Sequence, residues 1–162
     1  QGAIDDWSKA IEINPQNAIA YNNRGSAKDD LGDHQGAITD YTKAIGIDPR
    51  DADFYYNRGN VKDNLEDYQG AIADYNKAIE INPQHAAAYQ LRGSSKFTLG
   101  DIQGAIADYT KVIEIDPQDA NAYQLRGIAR EKVNDIEGAC RDWRKAVDLG
   151  NKRPAEWVKN QC

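Results

Sequence analysis

The sequence repeats every 34 residues, and this period constrains the fold more than any other feature of the chain. Prolines recur at that spacing, at Pro15, Pro49, Pro83 and Pro117. Further positions keep the same register: Tyr21, Tyr55, Tyr89 and Tyr123; Arg24, Arg58, Arg92 and Arg126; Gly25, Gly59, Gly93 and Gly127; Asp33, Asp67, Asp101 and Asp135. A period of this length is typical of a solenoid, in which each repeat is one supersecondary unit and stacked neighbours bury a continuous core.

The pattern within each repeat predicts two helices. The first helix begins after a capping side chain that accepts a hydrogen bond from a free backbone N–H; the caps are Asn17, Asp51, His85 and Asp119. The second helix begins after the aspartate of the register. Its apolar residues recur at helical spacing and form one stripe, in the first full repeat Ala37, Ile38, Tyr41, Ala44 and Ile45.

The turn between the two helices needs a residue that tolerates the left-handed conformation. Gly32, Gly100 and Asn134 meet that need in three repeats. Glu66 stands at the same place in the other repeat, where we expect a strained or looser turn.

These residues in this register resemble the tetratricopeptide repeat. The family's aromatic, Gly, Ala, aromatic, Ala and Pro positions are matched, in order, by Tyr21, Gly25, Ala37, Tyr41, Ala44 and Pro49. The resemblance implies an all-α fold: an α-α superhelix, that is, a right-handed solenoid of antiparallel helix pairs. It also implies a protein-binding role. One departure is systematic, because the family usually has Leu where this chain has Arg24 and its equivalents.

The register predicts a single array over 1–162. Its parts are 1–15, the second helix of a truncated repeat; 18–51, 52–85, 86–119 and 120–151, four repeats; and 152–162, a C-terminal capping helix. Because the sequence begins in mid-repeat and contains no Met, we interpret it as a piece of a longer protein. The side formed by Ile4, Trp7 and Ile11 should then be partly uncovered, which favours self-association through the N-terminal helix.

The recurring arginines have two interpretations. Aspartates recur at the same period, at Asp6, Asp40, Asp74, Asp108 and Asp142. An Arg in place of Leu keeps its stem in the packed layer and directs its guanidinium to a partner. We expect a ladder of Arg–Asp pairs; a site for an anionic ligand is the alternative.

The two cysteines also leave two possibilities open. Cys140 stands where the earlier repeats have isoleucine, so it is expected in the core as a small buried apolar residue. Cys162, in the capping helix, lies at about the same level, so a disulfide that closes the C-terminal end is possible.

Candidate binding residues come from the inner face of the superhelix, which in the family is lined by the first helices. Carried over, these positions are Asn22, Ser26, Asp29, Tyr56, Asn60, Asp63, Gln90, Ser94, Phe97, Gln124, Ile128 and Glu131. They vary between repeats, whereas the packing positions do not. Tyr56, Phe97 and Ile128 are candidate anchors, since apolar groups on a concave wall bind ligands. The sequence therefore predicts a protein or peptide ligand with basic or polar groups at one end and apolar groups at the other.

One ligand class of the family is disfavoured. Members that hold acidic C-terminal tails use a clamp of Lys or Arg with Asn. The matching positions here carry no cation: Asn22, Ser26, Asn57, Ala87 and Leu91 or, one repeat on, Tyr56, Asn60, Leu91, Asn121 and Leu125. The alternative to peptide binding is a structural role, as a scaffold or self-assembling segment of a larger protein.

Composition disfavours the other classes of function. The net charge of −6 and pI of about 4.9 argue against nucleic acid, and no apolar run is long enough for membrane insertion. The only histidines, His34 and His85, have no nucleophile or carboxylate arranged around them beyond what the repeat supplies, so we predict no enzyme. No cofactor or metal is predicted either, and localisation stays open.

Overall fold

The computed structural model describes residues 2–162, without the side chain of Gln161, and in that range it is all helical with no strand. Ten helices lie there: α1 (Gly2–Ile13), α2 (Ala18–Asp30), α3 (His34–Ile47), α4 (Ala52–Asn64), α5 (Tyr68–Ile81), α6 (Ala86–Thr98), α7 (Ile102–Ile115), α8 (Ala120–Lys132), α9 (Ile136–Asp148) and α10 (Ala155–Gln161). The helices follow the predicted repeat, which confirms the all-α, tetratricopeptide-like fold class.

The predicted caps begin the helices. Asn17 accepts from the N–H of Ala20, and His85, through Nδ1, from that of Ala88. Asp33 accepts from the N–H of Gly36 at 2.9 Å, and its equivalents do the same at the start of α5, α7 and α9. Each cap satisfies a backbone donor that the first helical turn leaves free.

The turn at Glu66 is strained but not looser. Glu66 adopts a φ of 63°, in the left-handed region occupied by Gly32 at 83° and Gly100 at 87°. Its N–H bonds the Asp63 carbonyl at 2.9 Å, as that of Gly32 bonds Asp29. The hydrogen bonds of the turn therefore hold Glu66 in a conformation that costs a residue with a Cβ about 1 kcal/mol.

The chain forms two compact units, the N-terminal unit Gln1–Pro83 with α1–α5 and the C-terminal unit Gln84–Cys162 with α6–α10. Within each unit, helices pack on their neighbours in sequence. The division into four repeats with a half-repeat and a capping helix stays a prediction.

Tyrosines and alanines of the apolar stripe form the cores. Ala37, Tyr41 and Val61 cluster in the N-terminal unit, and Ala105, Tyr109 and Ala129 in the C-terminal unit. Gly25 leaves room for the Tyr41 ring, because a Cβ at position 25 would lie only 3.0 Å from a ring carbon. The repeating glycine thus sets how closely the paired helices approach.

The two ends of the chain differ from the internal repeats. In α1, Ile4 and Trp7 are half-buried as expected, but Ile11 is only 9% exposed, because α1 packs along α2; the expectation that Ile11 is uncovered was wrong. At the C-terminal end, α10 spans Ala155–Gln161. Trp157 of α10 packs on Trp143, with ring centroids 5.3 Å apart, and a disulfide joins Cys140 to Cys162.

Candidate protein-binding face

The arginine ladder is confirmed and fixes how the paired helices meet. The Arg58 guanidinium donates from Nε and Nη2 to the two oxygens of Asp74, at 2.9 and 2.7 Å. Equivalent pairs join Arg24 to Asp40, Arg92 to Asp108 and Arg126 to Asp142. Because the guanidinium groups face carboxylates, the alternative of an anionic-ligand site is not supported. Asp6 makes no ion pair within the described residues.

Each buried aspartate also binds a second cation that the sequence analysis missed. Lys28 Nζ lies 2.8 Å from Asp40, and Lys62 Nζ lies 2.7 Å from Asp74. Lys96 and Arg130 play the same part for Asp108 and Asp142. The signal was present, since these residues recur every 34 positions, one helical turn after each arginine.

The ion pairs also set the charge of the buried carboxyl groups. Burial by itself raises the pKa of Asp40, but the hydrogen bonds and charges of Arg24 and Lys28 outweigh burial, so its pKa lies below the usual value. A depressed pKa contributes stability that is present above the unfolded-state pKa and is lost as the pH falls through the folded-state value.

Three residues of the predicted face serve the core tyrosines. The hydroxyl of Tyr75 donates to Asn60 Oδ1 at 3.0 Å, and the hydroxyls of Tyr109 and Ser94 lie 3.2 Å apart. Ser26 interacts with the Tyr41 hydroxyl and lowers its pKa, but burial is the larger effect and raises the pKa of Tyr41 to about 12. At the fourth equivalent place Ile128 replaces the polar residue, and the aromatic residue is Trp143. The buried Nε1 of Trp143 has no hydrogen-bond partner among the described residues.

The face of the N-terminal unit is polar and acidic. Asn57 on α4 donates to Asn22 on α2 at 2.9 Å, which ties the two first helices together. Tyr56 is half-buried, and its ring centroid lies 6.3 Å from that of Tyr75. Asp29 pairs with His34 Nδ1 at 2.6 Å, a carboxylate partner that the sequence analysis did not expect.

The face of the C-terminal unit is more apolar. Phe97 is half-buried and leans on the Ala105, Tyr109 and Ala129 cluster. Gln90, Ile128 and Glu131 are half-buried. Gln124 is only 6% exposed, because Asn151 covers it and donates to its Oε1 at 2.6 Å.

The pKa values of the core tyrosine hydroxyls are affected by different carboxylates in the two units. Burial and then the Asp29 charge raise the pKa of Tyr41, and burial and then the Asp63 charge raise that of Tyr75. For Tyr109 burial is again the largest cause, but the carboxylate that contributes is the ladder residue Asp108 rather than one on the face. The carboxylates that affect the tyrosines therefore include a face residue in the N-terminal unit, Asp29 or Asp63, and none in the C-terminal unit.

Two features of the described residues bear on other functions. These residues contain no group of three or more His, Cys, Asp or Glu side chains placed to hold a metal ion. No helix among them has both the length and the apolar character that crossing a membrane requires.

Comparison with solved structures gives close likenesses in fold. A crystal structure of MamA matches with a TM-score of 0.86 at 28% identity, covering 94% of this chain and 89% of that one. MamA 41-end from Desulfovibrio magneticus RS-1 matches in fold, with a TM-score of 0.84, 21% identity and coverage of 93% and 85%. The first TPR of Spaghetti (RPAP3), bound to the HSP90 peptide SRMEEVD, matches with a TM-score of 0.71, 27% identity and coverage of 74% and 94%.

Family models give the corresponding result at the level of sequence. No curated protein matches the chain significantly. The model described as Tetratricopeptide repeat matches residues 52–85, and the model described as TPR repeat matches residues 1–28, 30–62 and 93–134. Together with the peptide-bound neighbour, these matches support a protein-interaction module, in a family that is typically non-catalytic. Since the matched residues make up more than half of the sequence, the chain belongs to the tetratricopeptide repeat family.

Proposed function

We propose that the protein binds a peptide or protein segment on the exposed faces of its first helices. In the N-terminal unit this first-helix face consists of Asn22, Ser26, Asp29, Tyr56, Asn60 and Asp63, on α2 and α4. In the C-terminal unit it consists of Gln90, Ser94, Phe97, Ile128 and Glu131, on α6 and α8; Gln124 lies buried beneath Asn151. In the tetratricopeptide repeat family the equivalent faces line the concave surface, which supports the proposal.

The observation that carries the proposal is the support given to the aromatic side chains of both faces. Tyr56 rests against the buried ring of Tyr75, and Phe97 rests on the core around Tyr109. Core contacts restrict their rotamers before any ligand arrives, so binding loses less side-chain entropy. Aromatic groups that are both exposed and ordered are frequent binding hot spots.

The charge on each face determines the chemistry of the ligand. Asp29 and Asp63 favour a segment with Lys or Arg on the N-terminal unit, whereas Phe97 and Ile128 favour an apolar side chain on the C-terminal unit. The RPAP3 neighbour is bound to a peptide that ends in Glu-Glu-Val-Asp. Such an acidic tail fits poorly here, since the N-terminal face carries carboxylates and the clamp positions carry no cation.

A scaffold or self-assembling role is the second candidate. It is favoured by two exposed isoleucines that flank the α1–α2 connection, Ile13 at 86% and Ile19 at 63% exposure. Single exposed apolar residues are ordinary, but two on adjoining segments suit contact with another copy. Light scattering of an Ile13→Gln/Ile19→Gln variant would test this role. A concentration-dependent dimer of wild type that the variant abolishes is the expected result of self-assembly.

Selection from a random peptide-display library tests the leading proposal. We expect enriched peptides to combine Lys or Arg with an aromatic or aliphatic residue. Tyr56→Ala and Phe97→Ala should each weaken binding about tenfold, the effect of removing one hot-spot side chain. Ile13→Ala removes an apolar side chain that is 86% exposed at the end of α1 and belongs to neither face, so it is the control and should bind as wild type does.

Circular dichroism should confirm unchanged helical content in all three variants. Peptides that bind the Tyr56 and Phe97 variants as tightly as wild type would contradict the proposed face. A library that yields no binder would move the assignment to the scaffold role.

A further inference from the structure

A cavity of about 790 Å³ lies in the N-terminal unit, on a different surface from the first-helix face. Its walls come from α3, from Tyr21 of α2 and from the α1–α2 connection. Pro15, Tyr21, Ile38 and Ile47 give it an apolar lining. No residue of the first-helix face takes part.

Gly46 on α3 keeps the cavity open. The equivalent residues of the next two repeats are Glu80 and Glu114. A Cβ added at Gly46 would meet nothing within 4 Å, so the helix has room for a side chain there. A glycine inside a helix costs roughly 1 kcal/mol relative to alanine. Helix packing therefore does not require this glycine.

Because glycine stands at position 46 in place of glutamate, Lys43 lacks the carboxylate partner that the equivalent lysines have. Lys77 pairs with Glu80 at 2.7 Å, and Lys111 pairs with Glu114 at 2.6 Å. Lys43 is the equivalent lysine, but Gly46 offers it no carboxylate. It makes no ion pair within the part of the chain that the structure describes. Among the described residues that line the cavity, Lys43 is the only charged one.

We propose that this cavity binds a segment of a partner protein that presents a bulky apolar side chain beside an Asp or Glu. The apolar side chain would rest against Ile38, Ile47 and Tyr21. The neighbouring carboxylate would take the place that Glu80 and Glu114 occupy beside their lysines. The volume lies within the ~300–1,000 Å³ range of small ligand pockets, ample for one Phe or Leu side chain and the adjoining backbone.

This site prefers the opposite charge from the first-helix face of the same unit. There Asp29 and Asp63 favour a basic segment, whereas here the exposed charge is positive and selects an acidic one. The two surfaces use different residues, so either can bind if the other does not. The inference goes beyond the proposed function and does not depend on it.

The test is an NMR titration of the ¹⁵N-labelled full chain with N-acetyl-Phe-Glu-amide. Two probes each lack one feature: N-acetyl-Phe-Gln-amide lacks the carboxylate, and N-acetyl-Ala-Glu-amide lacks the large apolar group. We expect the complete probe to shift backbone signals of residues 15–21 and 35–47, with an affinity in the millimolar range or weaker for so small a ligand. Each incomplete probe should bind more weakly by about threefold or more.

Three variants identify the groups responsible. Gly46→Glu restores the internal ion pair and fills the cavity, so it should abolish the shifts while the helix stays intact. Gly46→Ala is its control, since it removes the glycine without adding charge or much volume, and it should bind as wild type does. Lys43→Gln should weaken the complete probe about threefold and leave N-acetyl-Phe-Gln-amide unaffected.

Several outcomes would overturn the proposal. It is wrong if the Gly46→Glu variant binds the probe as tightly as wild type, if the Phe-Gln probe matches the Phe-Glu probe, or if no signal near the cavity shifts. Hexanoate bound as tightly as the dipeptide would overturn the assignment to a protein segment. Tyr56→Ala should leave this titration unchanged, which separates the result from that of the first-helix face.

Discussion

The helix pair α4–α5 of the N-terminal unit and the pair α8–α9 of the C-terminal unit each contain an equivalent Arg–Asp ion pair. They differ in the side chains that pack beside it. Arg58 meets Asp74 as Arg126 meets Asp142, with matching bidentate geometry. Next to the first pair, Tyr75 donates its hydroxyl to Asn60. Next to the second, the fully buried Trp143 leaves Nε1 without a partner in the described structure.

The two helix pairs therefore fill the equivalent space between their helices in two different ways. The internal pair satisfies its polar groups and has no covalent link. The C-terminal pair exchanges a hydroxyl hydrogen bond for the larger apolar area of Trp143, which packs on Trp157, and adds the Cys140–Cys162 disulfide. An orphaned indole N–H costs about 1–3 kcal/mol, so the extra buried area and the disulfide offset a real penalty.

The largest effect should come from the shared ion pair. Asp74→Asn leaves two half-buried cations, Arg58 and Lys62, without a carboxylate. Asp142→Asn leaves Arg126 without one, and Arg130 keeps only its 3.6 Å carboxylate contact with Asp135. Because the lost carboxylate is buried in both cases, each change should lower the free energy of unfolding by about 3 kcal/mol or more. Urea unfolding followed by circular dichroism measures the loss. Lys77→Gln, which breaks only an exposed pair with Glu80, is the control and should cause no measurable change. A small loss for either aspartate would show that the ladder is not the common element of the two pairs.

Reduction of the disulfide should have the next largest effect on stability, and it should affect only the C-terminal helix pair. The bond closes a loop between residues 22 apart, for which chain entropy predicts a loss of about 3 kcal/mol. Amide hydrogen exchange with and without reductant should show faster exchange in α9 and α10, while α4 and α5 keep their rates. Two reactive thiols in the unfolded, non-reduced protein would contradict the bond itself.

The smallest effect should come from replacing the Trp143 and Ile128 side chains with the tyrosine and polar residue of the other repeats. Trp143→Tyr creates a void and a hydroxyl facing Ile128, and should cost about 2 kcal/mol. Adding Ile128→Ser supplies the partner that Ser94 gives Tyr109, and should recover about 1 kcal/mol. A double-mutant cycle in urea measures this coupling. Strict additivity of the two changes would show that the polar pair contributes nothing.

Sequence predicted the fold well because repetition removes ambiguity. A single helix start at Asn17 would be a weak signal, but four caps in one register are strong, and all four cap as expected. The Arg–Asp pairing was predictable for the same reason. The division into two compact units was not, since it depends on packing that no residue pattern in the repeat marks.

The candidate site was harder to predict, because different polar residues play the same role there in successive repeats. Ser26, Asn60 and Ser94 differ in identity, and this variation suggested a ligand surface. Asn60 and Ser94 instead hydrogen-bond tyrosine hydroxyls, and Ser26 interacts with a third. The glycine after each capping aspartate posed a similar problem. A Cβ at Gly36 would come within 2.0 Å of an Asp33 carboxylate oxygen, so a larger residue there would displace the carboxylate from its present position. Neither role can be recognised without knowing which atoms meet.

Three of the ladder arginines also use their third nitrogen, with consequences for how a unit unfolds. Arg58 Nη1 donates to Thr42 of α3, and Arg24 Nη1 donates to Ser8 of α1. In the C-terminal unit, Arg126 reaches Thr110 of α7. One guanidinium thereby belongs to two neighbouring repeats, so a repeat that opens removes hydrogen bonds from its neighbour. In a one-dimensional array such shared groups strengthen nearest-neighbour coupling, and each unit should open as a block rather than fray repeat by repeat.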